Sequence, residues 1–193
     1  AKAARDLNIL TNKGSHISNI KIKNLKLKDK DILGGNKKIS KSALEYSLMN
    51  GRVIAALSAT AMCSAALEEA IDYAKKREQF GKKIYQYQQI QKIISDVTVD
   101  IVANYSLIEK LFKMKRKFNQ DAINYSLISK INATKNLVEN ISSLMDIFGA
   151  NSTDSKYNIE RYFRESKGFH FIEGTSQILS QLIAINSIIN NRI

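Results

Sequence analysis

Apolar residues recur every three to four positions through most of this chain, and the spacing predicts long helices. After Ser40, Leu44, Leu48, the stretch Val53 to Leu57, Ala61, Leu67, Ile71 and Ala74 trace one helical face. That helix is expected to stop near Gly81, with Lys75, Lys76 and Arg77 in closing turns where cations suit the helix dipole. A second helix carries Ile90, Ile93, Ile94, Val97, Ile101, Ile108 and Leu111. A third carries Ile123, Leu127, Ile131, Val138, Ile141, Met145 and Phe148 and stops at Gly149. A short helix from Ile159 to Ser166 leads into a last one built on Ile178, Leu182, Ile185 and Ile189. Long helices with short connections predict a mainly α fold, an antiparallel four-helix-type bundle over residues 40–193. Before Ser40 the period is two. Ile20, Ile22, Leu25 and Leu27 mark a half-buried strand with a slip near Asn24, and Gly34-Gly35-Asn36 breaks it. One or two strands do not make a stable sheet, so residues 1–39 read as the remnant of a β-domain with a linker, its sheet completed by other polypeptide.

Composition supports this reading and removes some chemistry. The 193 residues can bury a real core, and with no proline and eight glycines they favour uninterrupted helices. Cys63 is the single cysteine, which excludes an internal disulfide and a cysteine metal cluster, and it lies in an Ala-rich helical stretch that suits a buried thiol. His16 and His170 are far apart and lack metal-ligand spacing, so no metal site is expected. We expect a cytoplasmic setting or another reducing compartment such as a mitochondrial matrix. No signal peptide and no transmembrane segment is expected, since even Ile178 to Ile189 is interrupted by Ser180, Gln181, Asn186 and Ser187. The net charge of +12, densest at Lys113-Met114-Lys115-Arg116-Lys117, supports only non-specific attraction to nucleic acid. It suits a phosphate-rich cofactor or a coenzyme A thioester equally well.

The chemistry concentrates in Phe171-Ile172-Glu173-Gly174-Thr175-Ser176-Gln177-Ile178. One carboxylate follows two apolar residues and precedes a glycine at the mouth of an apolar helix; desolvation there should raise its pKa and make it a base. The plainer reading is an exposed loop glutamate ahead of a Thr/Ser helix cap. Three further signals lie at helix ends. Arg77-Glu78-Gln79-Phe80-Gly81, followed by Tyr87-Gln88-Gln89, sets a possible phosphate ligand beside an aromatic surface. Phe148-Gly149-Ala150-Asn151-Ser152 is a small-residue loop, and Glu160-Arg161-Tyr162-Phe163-Arg164-Glu165 a charge-paired helix.

In this order and spacing the motifs resemble the C-terminal half of the acyl-CoA dehydrogenase family. The family's Tyr-Ala-x-x-Arg-x-x-Phe-Gly signature, Gln-containing helix start, Gly-rich loop, Arg-Asp segment and Glu-Gly-Thr are matched in turn. Here they read Tyr73-Ala74-Lys75-Lys76-Arg77-Glu78-Gln79-Phe80-Gly81, Gln88, Gly149, Arg164-Glu165 and Glu173-Gly174-Thr175. The resemblance covers roughly residues 15–190, with Asp31-Ile32-Leu33-Gly34 at the handover from the family's middle β-domain.

The resemblance implies α,β-dehydrogenation of an acyl thioester, in fatty acid metabolism, with FAD as cofactor. Glu173 would take a proton from Cα while the β-hydride passes to flavin N5. Arg77, Phe80, Gln88 and Gly149 match positions that contact FAD held mainly by a neighbouring subunit, so a homo- or hetero-oligomer is implied. Thr175 and Gln177 match positions near the flavin's own phosphates and adenosine. Arg52 and Gly174 match the thioester end of the substrate site, the thioester being on coenzyme A or a carrier protein. The departures are Ala150, Asn151 and Ser152 in the glycine loop, Asp146 where a glutamine is usual, Glu165 for aspartate and Met49 at an acidic position. They leave an alternative: a non-catalytic structural or regulatory bundle that has lost FAD.

Overall fold

The computed structural model describes residues 2–35, 37–114 and 120–190. Asn36 of the glycine break and Lys115, Arg116 and Lys117 of the basic run lie outside the described residues. Five helices dominate: α1 (Lys37–Lys76), α2 (Gln88–Met114), α3 (Gln120–Phe148), α4 (Ile159–Ser166) and α5 (Ser176–Asn190). Contacts at both ends of the bundle fix the directions. Cys63 of α1 meets Asn140 of α3, and Tyr73 meets Phe148, so α1 and α3 run parallel. Asn104 of α2 meets Asn132, and Asn186 of α5 meets Asn124, so α2 and α5 run opposite to α3. The result is an up-down-up-down bundle, with α4 as a short crosspiece.

The core forms where small residues let helices approach. Ala56, Ala59, Cys63, Ala66, Ala70 and Ala74 of α1 pack against Leu137, Ile141, Leu144, Ile147 and Phe148 of α3, with Val97, Ile101 and Ile108 closing the layer from α2. Dispersion favours such tight contact, but it does not choose a register; the buried asparagines do. Asn132 Nδ2 donates to Asn104 Oδ1 at 2.7 Å and Asn186 Nδ2 to Asn124 Oδ1 at 2.6 Å, and any axial slip would strand these groups without partners.

The face of α1 differs from the one its periodicity predicts. Leu44, Leu57 and Ala61 are exposed, and the buried stripe is Met49, Val53, Ala56, Thr60, Cys63, Leu67, Ala70 and Ala74. Apolar residues surround this helix, so periodicity alone selects no face; close approach to α3 selects the small ones. By length and composition α1 could cross a membrane. Its stripe is instead buried inside the bundle and includes Arg52, as in a core helix.

Two ends were also placed differently. α1 stops at Lys76, not near Gly81, because β3 (Glu78–Gln79) and β4 (Lys82–Lys83) form a hairpin there. Its tip, Phe80 at φ 53° and Gly81 at φ 79°, has the paired positive φ values of a type I′ turn. At the other end of the chain, Leu179 is the buried anchor of α5, while Ile178, Leu182, Ile185 and Ile189 are exposed. The predicted apolar face of α5 exists, but the other described residues leave much of it open.

At the N-terminus β1 (Lys2–Asp6) pairs antiparallel with β2 (Ser18–Lys21), with Ala3 opposite Ile20 and an irregularity before Asp6. The strand ends at Lys21 and does not run on to Leu27; Asn24, at the predicted slip, has φ 53°. Ile20, Ile22, Leu25 and Leu27 are all exposed, so this two-stranded ribbon buries little of its own. A loop from it reaches α4, where the Asn12 amide donates to Glu165 Oε2 at 2.5 Å.

Cys63 is buried, and burial pushes its thiol up to about 11, the nearby Asp100 adding to the shift and the Asn140 hydrogen bond opposing it. The thiolate that reacts with alkylating agents is therefore nearly absent at pH 8. Native protein is expected to take up no iodoacetamide by mass spectrometry, and denatured protein one adduct. Rapid labelling of the native protein would show that the α1–α3 seam opens.

Candidate active site

Glu173 lies on the turn that joins a short 3-10 segment (Lys167–His170) to α5. Its backbone has φ 54°, unusual for a residue with a side chain, and Gly174 follows at φ 102°. Two such residues in succession reverse the chain sharply, and strain of this kind persists only where surroundings impose it. Gly174 is required twice over: for its φ, and because a Cβ there would come within 2.9 Å of Leu179 Cδ2.

What imposes the turn is a set of grips on its backbone. Lys130 of α3 is fully buried, and its Nζ donates to the Gly174 carbonyl at 2.9 Å and to the His170 carbonyl at 3.3 Å. Arg52 of α1, also buried, directs Nε towards the Glu173 carbonyl at 3.4 Å. Thr175 Oγ1 accepts from the Ile178 amide at 3.4 Å, the cap expected at the start of α5. Ser176 Oγ and His170 Nδ1 lie 3.4 Å apart, the tautomer deciding which donates.

The Glu173 side chain itself folds over the backbone of α1 at Gly51. A Cβ on Gly51 would fall 2.7 Å from Glu173 Oε1 and overlap the rest of the carboxylate. Among the described residues that carboxylate accepts no hydrogen bond and closes no ion pair, although Arg52 and Lys130 both feel its charge. The cations hold the main chain and leave the carboxylate uncommitted.

Electrostatics follow from the crowding. Burial lowers the Arg52 pKa, with Glu173 and then Glu45 opposing that shift. The Lys130 ammonium is held down to about 8, first by burial and then by Arg52, with Glu173 pulling the other way. Burial and the charges of Lys167 and Lys130 depress His170, which favours the neutral ring at pH 7. The apolar shield expected from Phe171 and Ile172 is not formed among the described residues: both side chains face outwards, at 59% and 38% exposure. Glu173 is half-buried instead, with its carboxylate against α1 at Gly51.

The second cluster lies at the far end of α1. A pocket of about 470 Å³ is lined by Arg77, Phe80, Gln89, Asp146, Gly149 and Ala150 together with neighbouring residues. Its floor is aromatic: Tyr73 stacks on Phe148 at 4.3 Å, Tyr157 meets both edge-on, and Asn151 Nδ2 donates to the Tyr73 hydroxyl at 2.8 Å. Phe80, at the hairpin tip, is 93% exposed. Gly149 turns at φ 57° with open space where a side chain would stand.

Arg77, Phe80 and Gly149 are thus brought together. Glu173, Gly174 and Arg52 form the separate first cluster, with Thr175 and Gln177 beside it at the start of α5. Gln88 is the first residue of α2, exposed and off the pocket lining, where its neighbour Gln89 stands instead. Arg164 is held by Glu160 at 2.7 and 3.0 Å, and Glu165 by Asn12. Among the described residues no three His, Cys, Asp or Glu side chains group to hold a metal ion.

Sequence reasoning missed Lys130 and the role of Gly51. Both had a signal. Lys130 falls on the buried stripe Leu127, Thr134, Leu137, Ile141 and Leu144, where a charge needs a reason. A glycine inside a helix, as at Gly51, costs about 1 kcal/mol against alanine and implies close packing.

Residues 41–188 match the family described as acyl-CoA dehydrogenase, C-terminal domain. A probable acyl-CoA dehydrogenase of Bacillus subtilis, YngJ, is 30% identical over 175 residues, which span 89% of this chain and 45% of that protein. The butyryl-CoA dehydrogenase structure from Megasphaera elsdenii superposes with a TM-score of 0.71 at 26% identity, over 75% of this chain and 37% of that one. The prolyl acyl carrier protein oxidase AnaB has the same fold, with a TM-score of 0.88 at 18% identity over 95% of this chain and 48% of that one. The chain spans about half the length of the relatives it matches.

Proposed function

Because the chain belongs to the acyl-CoA dehydrogenase family, in its C-terminal domain, we propose that it is the base-bearing half of a flavoenzyme that desaturates an acyl thioester between Cα and Cβ. The observation that carries this reading is the uncommitted Glu173 carboxylate, seated over Gly51 on a turn gripped through its backbone. A carboxylate without a hydrogen bond among the described residues, seated against a helix backbone, is available to take a proton. Arg52, beside it, would orient the thioester, and Gly174 supplies the positive φ that the turn requires.

The second pocket fits FAD in chemistry. Arg77, whose guanidinium has no ion pair among the described residues, would meet a phosphate, and the exposed Phe80 ring would stack on a flat heterocycle. Gly149 lets the ligand come close to backbone. Thr175 and Gln177 would serve the flavin bound beside Glu173. When bound, the flavin would supply the hydride acceptor, and the protein's part is to hold, orient and dehydrate.

Other polypeptide would complete the site, either a second copy or a chain carrying the β-domain. The uncovered face of α5 and the exposed Phe171 and Ile172 support an oligomer. The basic surface suits coenzyme A and an acidic carrier protein alike.

A second reading, a bundle that has given up its flavin, is favoured by Asp146, an anionic lining residue where a diphosphate would lie. Titrating the purified 193-residue chain with FAD, read by flavin fluorescence and by mass in solution, separates the two. Stoichiometric capture by an oligomer is the expected result. Failure to bind, persisting after the complementary half is added, would leave the second reading standing.

A further inference from the structure

We infer that Lys130 is the positioning residue of the base: its buried ammonium fixes the His170–Gly174 turn, and through it the place of the Glu173 carboxylate. The inference rests on the proposed role of Glu173 as base, and three observations carry it.

The two carbonyls that Lys130 holds belong to residues on either side of Glu173, three before it and one after. A donor at both places fixes the start and end of the turn, and leaves little freedom for the residue between. The grip is also rigid, because Lys130 rises from the centre of α3 and is enclosed completely. A side chain on a packed helix places its head group more precisely than one on a loop.

The second observation is what Lys130 does not do. A cation this close to a carboxylate would ordinarily pair with it, and pairing would tie up the lone pairs that a base needs. Here the ammonium is spent on carbonyl oxygens, as is the Arg52 Nε, and the carboxylate remains unpaired among the described residues.

The third is the cost of the arrangement. Placing an ammonium in a bundle core is unfavourable, and an apolar residue of similar length would serve packing as well or better. A methionine at position 130 would fill the stripe between Leu127 and Thr134. What it could not supply is donors to a turn whose Glu173 and Gly174 both need positive φ. The lysine is explained by the turn and not by the core.

The test is Lys130→Met in the complete flavin-loaded oligomer, with two readouts. Hydrogen exchange is the first, and it needs no substrate. Amides of Phe171 to Thr175 should exchange at least about tenfold faster than in the unmodified protein, with those of α1 and α3 unchanged. The second is flavin reduction by butyryl-CoA. Its maximal rate should fall about 100-fold, the penalty of a base misplaced by about an ångström, at an unchanged half-saturating thioester concentration. A general packing defect would instead quicken exchange throughout the bundle and raise that concentration.

Unchanged exchange in the turn would overturn the proposal. Should the unmodified enzyme leave flavin oxidised with every thioester, the base role of Glu173 fails, while the exchange comparison still decides whether Lys130 fixes the turn. Should Lys130→Met not fold, Lys130→Arg, which keeps cation and donors, replaces it. Slow exchange retained in the turn then supports the assignment, and exchange as fast as in the irregular segment 22–28 overturns it.

Discussion

Replacing Glu173 by glutamine is expected to abolish bleaching of the flavin by an acyl thioester in the reconstituted enzyme. The amide is nearly isosteric with the carboxylate and should rest over Gly51 in the same way. The backbone grips from Lys130 and Arg52 do not involve the side chain, so the turn should keep its shape. What is lost is the ability to accept a proton, and general bases contribute about 10²–10⁴-fold to rate. Flavin absorbance after rapid mixing with a short acyl-CoA measures it directly. Because glutamine keeps the size of the side chain and leaves Thr175, Gln177 and the Arg77 pocket unaltered, the variant should bind cofactor normally. Reduction at the unmodified rate would remove Glu173 from the role of base.

Gly51→Ala carries the other large effect, and its two consequences have opposite signs. Within a helix, alanine is favoured over glycine by about 1 kcal/mol. The bundle should therefore melt no lower, because the obstructing group is the end of a flexible side chain that can move away. The carboxylate cannot stay where it is, since the new methyl would lie 2.7 Å from Oε1. Displacement of a reacting group by about an ångström costs about 100-fold in rate. Calorimetry and flavin reduction on the same preparation test both halves. A variant that melts lower while reacting normally would mean that the carboxylate does not rest against α1 in the working enzyme.

Helical boundaries were legible where a helix ends by a local device. α3 stops at Phe148 because Gly149 takes a left-handed conformation, and α5 begins at a threonine cap. The end of α1 was misplaced because Phe80-Gly81 is a signal with two meanings. A glycine after a helical run can close the helix or turn a hairpin, and only the pairing of Glu78 with Lys83 decides between them. The buried side of α1 was illegible for a different reason. Periodicity reads contrast, and this helix has apolar residues all round it. The choice falls to the partner helix, which admits Ala56, Ala59 and Ala66 and leaves Leu44 outside.

The same division applies to the site. Glu173, Arg77 and Phe80 were proposed from motifs where the chain turns and local sequence is distinctive, and Arg52, which lies inside α1, from its family match alone. Lys130 was hidden because lysines on helices nearly always face water. Its burial is a property of the stripe it shares with Leu127 and Leu137, and it becomes visible only when that stripe is traced residue by residue. The role of Phe171 and Ile172 was misread because their apolar character implies cover without saying whose. In this chain they present that surface outwards.

The length of α1 sets a rule of its own. The helix runs without a break from Arg52 to Lys76, a rise of about 36 Å. Under the proposed function, the base end and the pocket end of one chain would therefore serve different catalytic centres. In an assembly of identical chains each helix would then work as a strut shared between two workplaces. A chain damaged at Arg77 and a chain damaged at Glu173 are not equivalent losses. Mixed in one assembly, they can compose one sound centre and one that lacks both parts.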